Sequence, residues 1–192
     1  MALTTSLEAV KAVDGERQIV AMSVGGEVYG VAIDLVHTVI LPQAITVVPR
    51  TPEHVRGVIN LRGRVVPIVD LRIRFGLPPL PEDRVRHSRI VMVDVGGHHT
   101  GVIVDSVSEV LRLPESCIEP PSEYLAPETA YVTAIARAPI VRQGASANAN
   151  GKAGDAQNAE RLILMLDVRK AIQGSEDGLH NQAGTEDSAI AA

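Results

Sequence analysis

Aromatic side chains are nearly missing from this chain of 192 residues, which has three Tyr, one Phe and no Trp. A surface that recognises single-stranded nucleic acid by stacking bases on rings cannot be built from so small a stock. Cys117 is the only cysteine, which excludes a disulfide framework and a cysteine-based structural zinc site and favours a cytoplasmic home. No run approaches the roughly 18 apolar residues of a membrane span. The first fourteen residues contain one Lys and no apolar core of the kind a secretory signal requires. The expectation is a soluble protein with no direct membrane insertion.

What is present is aliphatic and branched: 26 Val and 15 Ile supply much of the 45% apolar content. β-branched side chains are stiff at χ1 and pack well on a pleated surface, so the composition predicts a mainly β protein. The length suits one domain, or two small lobes sharing a core. Net charge is −5, but it is unevenly placed. From Arg50 to Arg89 nine Arg stand against Glu53, Asp70, Glu82 and Asp83, while from Ile90 to Glu128 seven carboxylates stand against Arg112. Glu176, Asp177, Glu186 and Asp187 make the end of the chain acidic, with no Lys or Arg among the last nineteen residues. Such blocks either neutralise each other in the fold or face different partners.

Residues 1–16 and 174–192 lack hydrophobic periodicity and are expected to be disordered, which leaves a folded region of residues 17–173. Within it, residues 142–160 contain no Val, Ile, Leu, Phe or Met and are expected to form a flexible loop between two strands. The other apolar runs are short and separated by turn signals. Gln18–Val24 and Glu27–Ile33 flank Gly25-Gly26, and Arg89–Val95 and His98–Asp105 flank Gly96-Gly97. Both read as hairpins, because Gly supplies the positive φ of tight turns. Gly57–Leu61 and Arg64–Val69 form a third around Arg62-Gly63. Further strands are expected at Val107–Leu113, Tyr131–Ile140 and Arg161–Asp167. Helical turns are expected at Pro52–Arg56, with Thr51 as N-cap, at Asp70–Phe75, and at the C-terminus over Val168–Gln173. Consecutive apolar residues such as Ile90, Val91, Met92 and Val93 require strands covered on both faces, hence two packed sheets or barrels.

Reactive chemistry is poorly supplied. None of the six His stands at metal-ligating spacing from a second ligand, and adjacent His98 and His99 point to opposite faces of a strand. Cys117 lies in an acidic segment that disfavours a thiolate, and reads as a spectator. There is no phosphate-binding Gly loop, no nucleophile elbow and no zinc-protease motif. Asp70, Asp94, Asp105 and Asp167 end apolar strands, where a small β-barrel enzyme could gather carboxylates; bonding to turn amides or helix caps explains them more simply. The Arg-rich stretch contains one aromatic, Phe75, so an oligonucleotide binder is disfavoured and its Arg side chains read as mostly solvated or paired with the acidic block. No cofactor or metal is expected, and no enzyme activity.

The segment Gly57-Val58-Ile59-Asn60-Leu61-Arg62-Gly63-Arg64-Val65-Val66-Pro67-Ile68-Val69-Asp70-Leu71-Arg72 resembles the signature of CheW-like domains, coupling modules of bacterial chemosensory arrays. Tyr29-Gly30-Val31, Gly101 to Val107, Val110 and Leu162 to Val168 extend the likeness across the folded region. The resemblance implies two small five-stranded SH3-like barrels packed together, with short helices, in a non-enzymatic adaptor. Its implied partners are the regulatory domain of a CheA-type histidine kinase and the cytoplasmic tip of methyl-accepting chemoreceptors, with assembly into arrays or rings. Position by position, it implies a receptor-facing groove of Val36, Thr38, Arg62 and Val110, and a kinase or array contact around Gly57, Val58, Asn60 and Gly63. Backbone conformation alone is the competing reading for Gly57 and Gly63, and core packing for Val36 and Val110. Arg62 differs, since a tight turn asks for nothing like Arg and leaves its side chain exposed, which points to a binding or surface-organising role. Thr38 stands where related sequences often carry an acid able to pair with that Arg, Ala134 stands where Gly is usual, and loop 142–160 is longer than the family needs. A coupler of a pilus or gliding pathway would share the fold and differ in its kinase.

Overall fold

The computed structural model describes residues 15–121, 131–139 and 160–173. The strands are β1 (Glu16–Val24), β2 (Glu27–Ala32), β3 (Val36–Ile40), β4 (Val55–Leu61), β5 (Arg64–Asp70), β6 (Arg89–Val95), β7 (His98–Val104), β8 (Ser106–Pro114), β9 (Ile118–Glu119), β10 (Val132–Pro139) and β11 (Glu160–Leu166). Three short helices, α1 (Leu71–Arg74), α2 (Glu82–Val85) and α3 (Val168–Gln173), and 3₁₀ turns at Ile33–Leu35 and Glu115–Cys117 complete the described elements. One sheet runs β8-β1-β2-β11-β10-β9 and the other β3-β6-β7-β5-β4.

The first sheet has six strands where five were expected, the addition being the two-residue β9. Only one 3₁₀ turn separates β8 from β9, the two edges of that sheet, so the sheet must curl to bring its edges round. In the second sheet the chain leaving β3 bridges Thr46 to Val58 of edge strand β4, joining the edges there. Each curled sheet has its own interior. Ile19, Leu113, Ala136, Ala138, Ile163 and Met165 fill the first, and Ile59, Val66, Ile68, Ile90 and Met92 the second. A larger shared core lies between them. This arrangement accounts for the unalternating strands: Ile90 and Met92 point into the second barrel, while Val91 and Val93 point into the shared core beside Val20, Met22 and Val31.

The two barrels repeat one plan. In each, a hairpin turning on Gly-Gly (β1–β2, β6–β7) pairs in parallel with a strand from elsewhere in the chain (β11 on β2, β5 on β7). Each of these parallel partners leads into a short helix through an Asp whose carboxylate accepts a backbone amide: Asp70 from Arg72 at 2.9 Å and Asp167 from Lys170 at 3.1 Å. The aromatics among the described residues gather between the barrels, with Phe75 5.2 Å from Tyr29 and 4.5 Å from Tyr131, ring centre to ring centre. Burial there pushes the Tyr29 hydroxyl up to about 12, with Tyr131 and Glu27 adding to the effect.

Some local expectations change. Residues 52–55 form a β-turn closed by Val55 N–H on the Pro52 carbonyl, and Arg56 lies in β4, so there is no helical turn over 52–56. Thr51 does not cap it; its hydroxyl donates to the carbonyls of Val48 and Val55, at 3.0 and 3.3 Å. Pairing of Val55 with Val69, and the bond from Asp70 N–H to the His54 carbonyl, draw this segment into the sheet. Glu16 belongs to β1, because it pairs with Pro114, and Glu160 opens β11 against Pro139. The helices at Leu71–Arg74 and Val168–Gln173 stand where expected. The expectations for residues 1–14, 142–159 and 174–192 lie outside the described residues, as does Ile140.

Candidate partner-binding surface

The β4–β5 turn carries one of the two non-glycine residues with positive φ among the described residues, the other being Arg50. Arg62 and Gly63 have φ of 52° and 84°, so both central residues of the turn are left-handed, as the twist of a two-residue hairpin demands. Gly63 adopts this conformation freely, whereas a side chain at Arg62 costs about 1 kcal/mol. Asn60 stabilises the turn by accepting the Gly63 N–H on Oδ1 at 2.9 Å. The Arg62 side chain is exposed and makes no hydrogen bond or ion pair among the described residues.

Gly57 and Val58 are explained by closure of the barrel. Val58 and Thr46 exchange backbone bonds of 2.8 and 2.9 Å. At Gly57, with φ of 133°, any Cβ would collide with the Thr46 carbonyl. Val36 is buried in the shared core opposite Val93 on β3. Thr38 is half-buried opposite Met92, just past a bulge at His37. Val110 is exposed on β8 opposite Val20. Val36 and Thr38 thus lie on an edge strand of one barrel and Val110 on the corresponding edge of the other. Arg62 sits at a hairpin tip by the opposite edge of the second sheet, and no hydrogen bond among the described residues joins it to Thr38.

The strand-end carboxylates hold turns together. Asp94 accepts Gly97 N–H at 2.8 Å, and Asp105 accepts both Gly25 N–H at 2.9 Å and Arg72 Nη1 at 2.6 Å. Burial pushes the Asp70 carboxyl above its ordinary value, against the downward pull of the Arg72 and Ile73 amides and of Arg56 and Arg72. These four carboxylates are committed to four separate turns and helix starts.

The sequence profile of the CheW-like domain family matches residues 18–176. This chain belongs to the CheW-like family. It is 28% identical over 164 residues to the chemotaxis protein CheW of Klebsiella aerogenes, covering 85% of this chain and 86% of that one. With the chemotaxis protein CheW of Bacillus subtilis it shares 36% identity over 115 residues, 60% of this chain and 72% of the other. The crystal structure of scaffolding protein TtCheW from Thermoanaerobacter tengcongensis superposes with a TM-score of 0.64 at 34% identity, covering 82% of this chain and 92% of that one. The CheW family is one of non-enzymatic chemotaxis scaffolds, which agrees with the dispersed carboxylates.

Charge divides this CheW-like chain by barrel. In the first, Arg17 meets Glu115 at 3.8 Å, Arg161 meets Glu109 at 2.5 Å, and Arg137 pairs with Glu119. Three carboxylates of the acidic block, Glu109, Glu115 and Glu119, therefore pair with Arg residues from outside the Arg-rich stretch. Of that stretch, Arg72 reaches Asp105, and Arg74 Nε donates to the Ala171 carbonyl at 2.8 Å. Arg50, Arg56, Arg62 and Arg64 stay exposed without an ion pair among the described residues. Beside them Leu41, Val47 and Val65 are 59%, 76% and 72% exposed. The sequence reading missed this mixed face. Its signal was present in β5, where Val65 and Val66 alternate outward and inward. No helix among the described residues is long and apolar enough to cross a membrane.

Proposed function

We propose that this CheW-like protein is the cytoplasmic adaptor that couples chemoreceptor tips to the regulatory domain of a CheA-type histidine kinase. The observation that carries the reading is Arg62: a cation held at a conformational cost, exposed and without an ion pair among the described residues, on a turn whose geometry would be better served by Asn or Gly. Strain that stability does not require is what a binding residue retains. Thr38 supplies no carboxylate, so the guanidinium is free to meet one on a partner. Thr38 and Val110, on the outer strands of the two barrels and with Val36 buried on Thr38's strand, form the receptor-facing groove with it, and Gly57, Val58 and Asn60 of β4 with Gly63 of the following turn shape the contact made with the kinase or within an array.

Coupling follows from differential contact. A scaffold that binds one receptor packing better than another shifts the kinase by that difference in affinity and by no more. With hardly any aromatic anchors, each contact rests on Val, Leu and Arg and is individually modest; repetition in an array multiplies such contacts by avidity. Co-purification with a CheA-type kinase and a receptor signalling fragment tests the reading. A ternary complex is expected, and binding to neither partner overturns it.

A further inference from the structure

The strands β5 and β7 are paired over only part of their length. Ile68, Val69 and Asp70 align in parallel with Gly101, Val102 and Ile103. Upstream of Ile68, β5 is paired only with β4, and upstream of Gly101, β7 is paired only with β6. The strands part next to Pro67, which has no amide hydrogen to offer. A cleft of about 340 Å³ opens there, lined by Arg64, Val65, Val66 and Pro67 on one side and Gly97, His98 and His99 on the other. That volume lies in the range of small-ligand and peptide sites.

Ionisable side chains around the cleft include Arg64, His98, His99 and Asp94. Asp94 is already engaged, with Oδ1 on Gly97 N–H at 2.8 Å and Oδ2 4.0 Å from His99 Nδ1. Ring stacking with His37, 5.0 Å between centres, holds His99 in place. Arg64 is left exposed, without a carboxylate partner among the described residues, beside the apolar Val65.

An occupant with complementary chemistry begins close by. The helix α3 packs on β6, and its Arg169 guanidinium lies 3.5 Å from where a Cβ on Gly96 would stand, at the β6–β7 turn that leads into the cleft. From there α3 runs only about 6 Å to Gln173. The nineteen residues that follow carry Glu176, Asp177, Glu186 and Asp187 and no Lys or Arg, and each acidic pair is followed within four residues by an aliphatic side chain, Leu179 or Ile190. Extended chain covers at most about 3.5 Å per residue, so Glu176 has a reach of roughly 10 Å beyond Gln173 and Glu186 roughly 45 Å.

We propose that the acidic segment 174–192 docks intramolecularly in the β5–β7 cleft, setting carboxylates against Arg64 and His98 and an aliphatic side chain against Val65. A tether this short gives an effective concentration in the millimolar range, so even a weak contact populates the docked state. The docked segment covers the ground next to the Arg62 hairpin and competes with any acidic partner seeking that face.

Amide NMR spectra of the full chain and of the full-length variant E176Q/D177N/E186Q/D187N provide the test. Signals of Arg64, Val65, Gly97 and His98 are expected to differ between the two, and the differences to collapse at about 0.5 M salt, where the Debye length falls to a few ångströms. Arg64→Glu in the native-tail chain is expected to reproduce the shifts at the other cleft residues. A synthetic peptide of residues 174–192, added to the neutralised variant, is expected to move the same signals. Coincident spectra at the cleft overturn the proposal, as do differences confined to the first barrel or to residues 50–62.

Discussion

Arg72 Nη1 donates to Asp105 Oδ2 at 2.6 Å across the seam between the two barrels, with the two side chains only 12% and 19% exposed. Arg72 lies on α1 of the second barrel. Asp105 sits at the β7–β8 junction and also accepts Gly25 N–H from the first barrel's hairpin, while its own N–H donates to the Ser23 carbonyl. Arg72 Nε donates to the Pro78 carbonyl at 2.8 Å, so the guanidinium is fixed from two directions.

Removing one partner of this pair strands the other charge. Arg72→Leu is expected to destabilise the protein by about 3 kcal/mol, because an unpaired buried carboxylate loses its compensation. Urea unfolding of the single variants and of Arg72→Leu/Asp105→Asn measures this, with the double variant less destabilised than the sum of the singles. Additive losses would show that the two side chains act separately.

Two glycines separate steric from backbone constraint. At Gly101, inside the second barrel, a Cβ would meet Ile68 and lie 2.9 Å from Ile90 Cγ2, both side chains able to shift. Gly101→Ala is therefore expected to cost about 1–3 kcal/mol. Gly57→Ala should cost more, since its obstacle is the Thr46 backbone and its φ is 133°. Thermal melts of both variants rank them, and the reverse order would contradict the closure described for β4.

Arg62→Asn is expected to stabilise the fold by about 0.5–1 kcal/mol, because Asn tolerates the left-handed conformation. The same substitution is expected to weaken partner binding. A gain in stability with loss of binding is the signature of strain kept for function, and a loss of stability would show that Arg62 serves the fold.

Burial raises the Asp70 carboxyl. The folded state therefore holds that proton more tightly than the unfolded chain, and this contribution to stability is present in acid and lost as pH rises through the folded value. Asn caps a helix as well as Asp does. Asp70→Asn is thus expected to be the more stable protein at pH 7, with its advantage shrinking toward pH 4. Urea midpoints across that range check the sign, and a constant difference would remove burial as the cause.

The hairpins were legible because Gly-Gly and Arg-Gly interrupt branched aliphatic runs, and the double-faced strands because Ile90 to Val93 do not alternate. The helix after Asp70 and the one after Asp167 were legible from capping chemistry. The strand β9 was not, because two residues carry no period, and Thr51 misled because Ser/Thr followed by Pro looks like a helix start until sheet pairing at Val55 overrides it. Of the site, the exposed turn at Arg62 could be placed from sequence. Its left-handed φ could not, since Arg gives no local signal for it. The cleft beside Arg64 depends on where β5 and β7 part, a relation between strands some thirty residues apart that no local pattern encodes.

Receptor control of kinase activity in a reconstituted mixture of CheA-type kinase, receptor signalling fragment and this protein tests the central claim most directly. The native chain is expected to bring the kinase under receptor control, and Arg62→Glu, with an unchanged melting profile, to lower that control by about tenfold or more. Kinase activity that responds equally with and without the native chain would contradict the account.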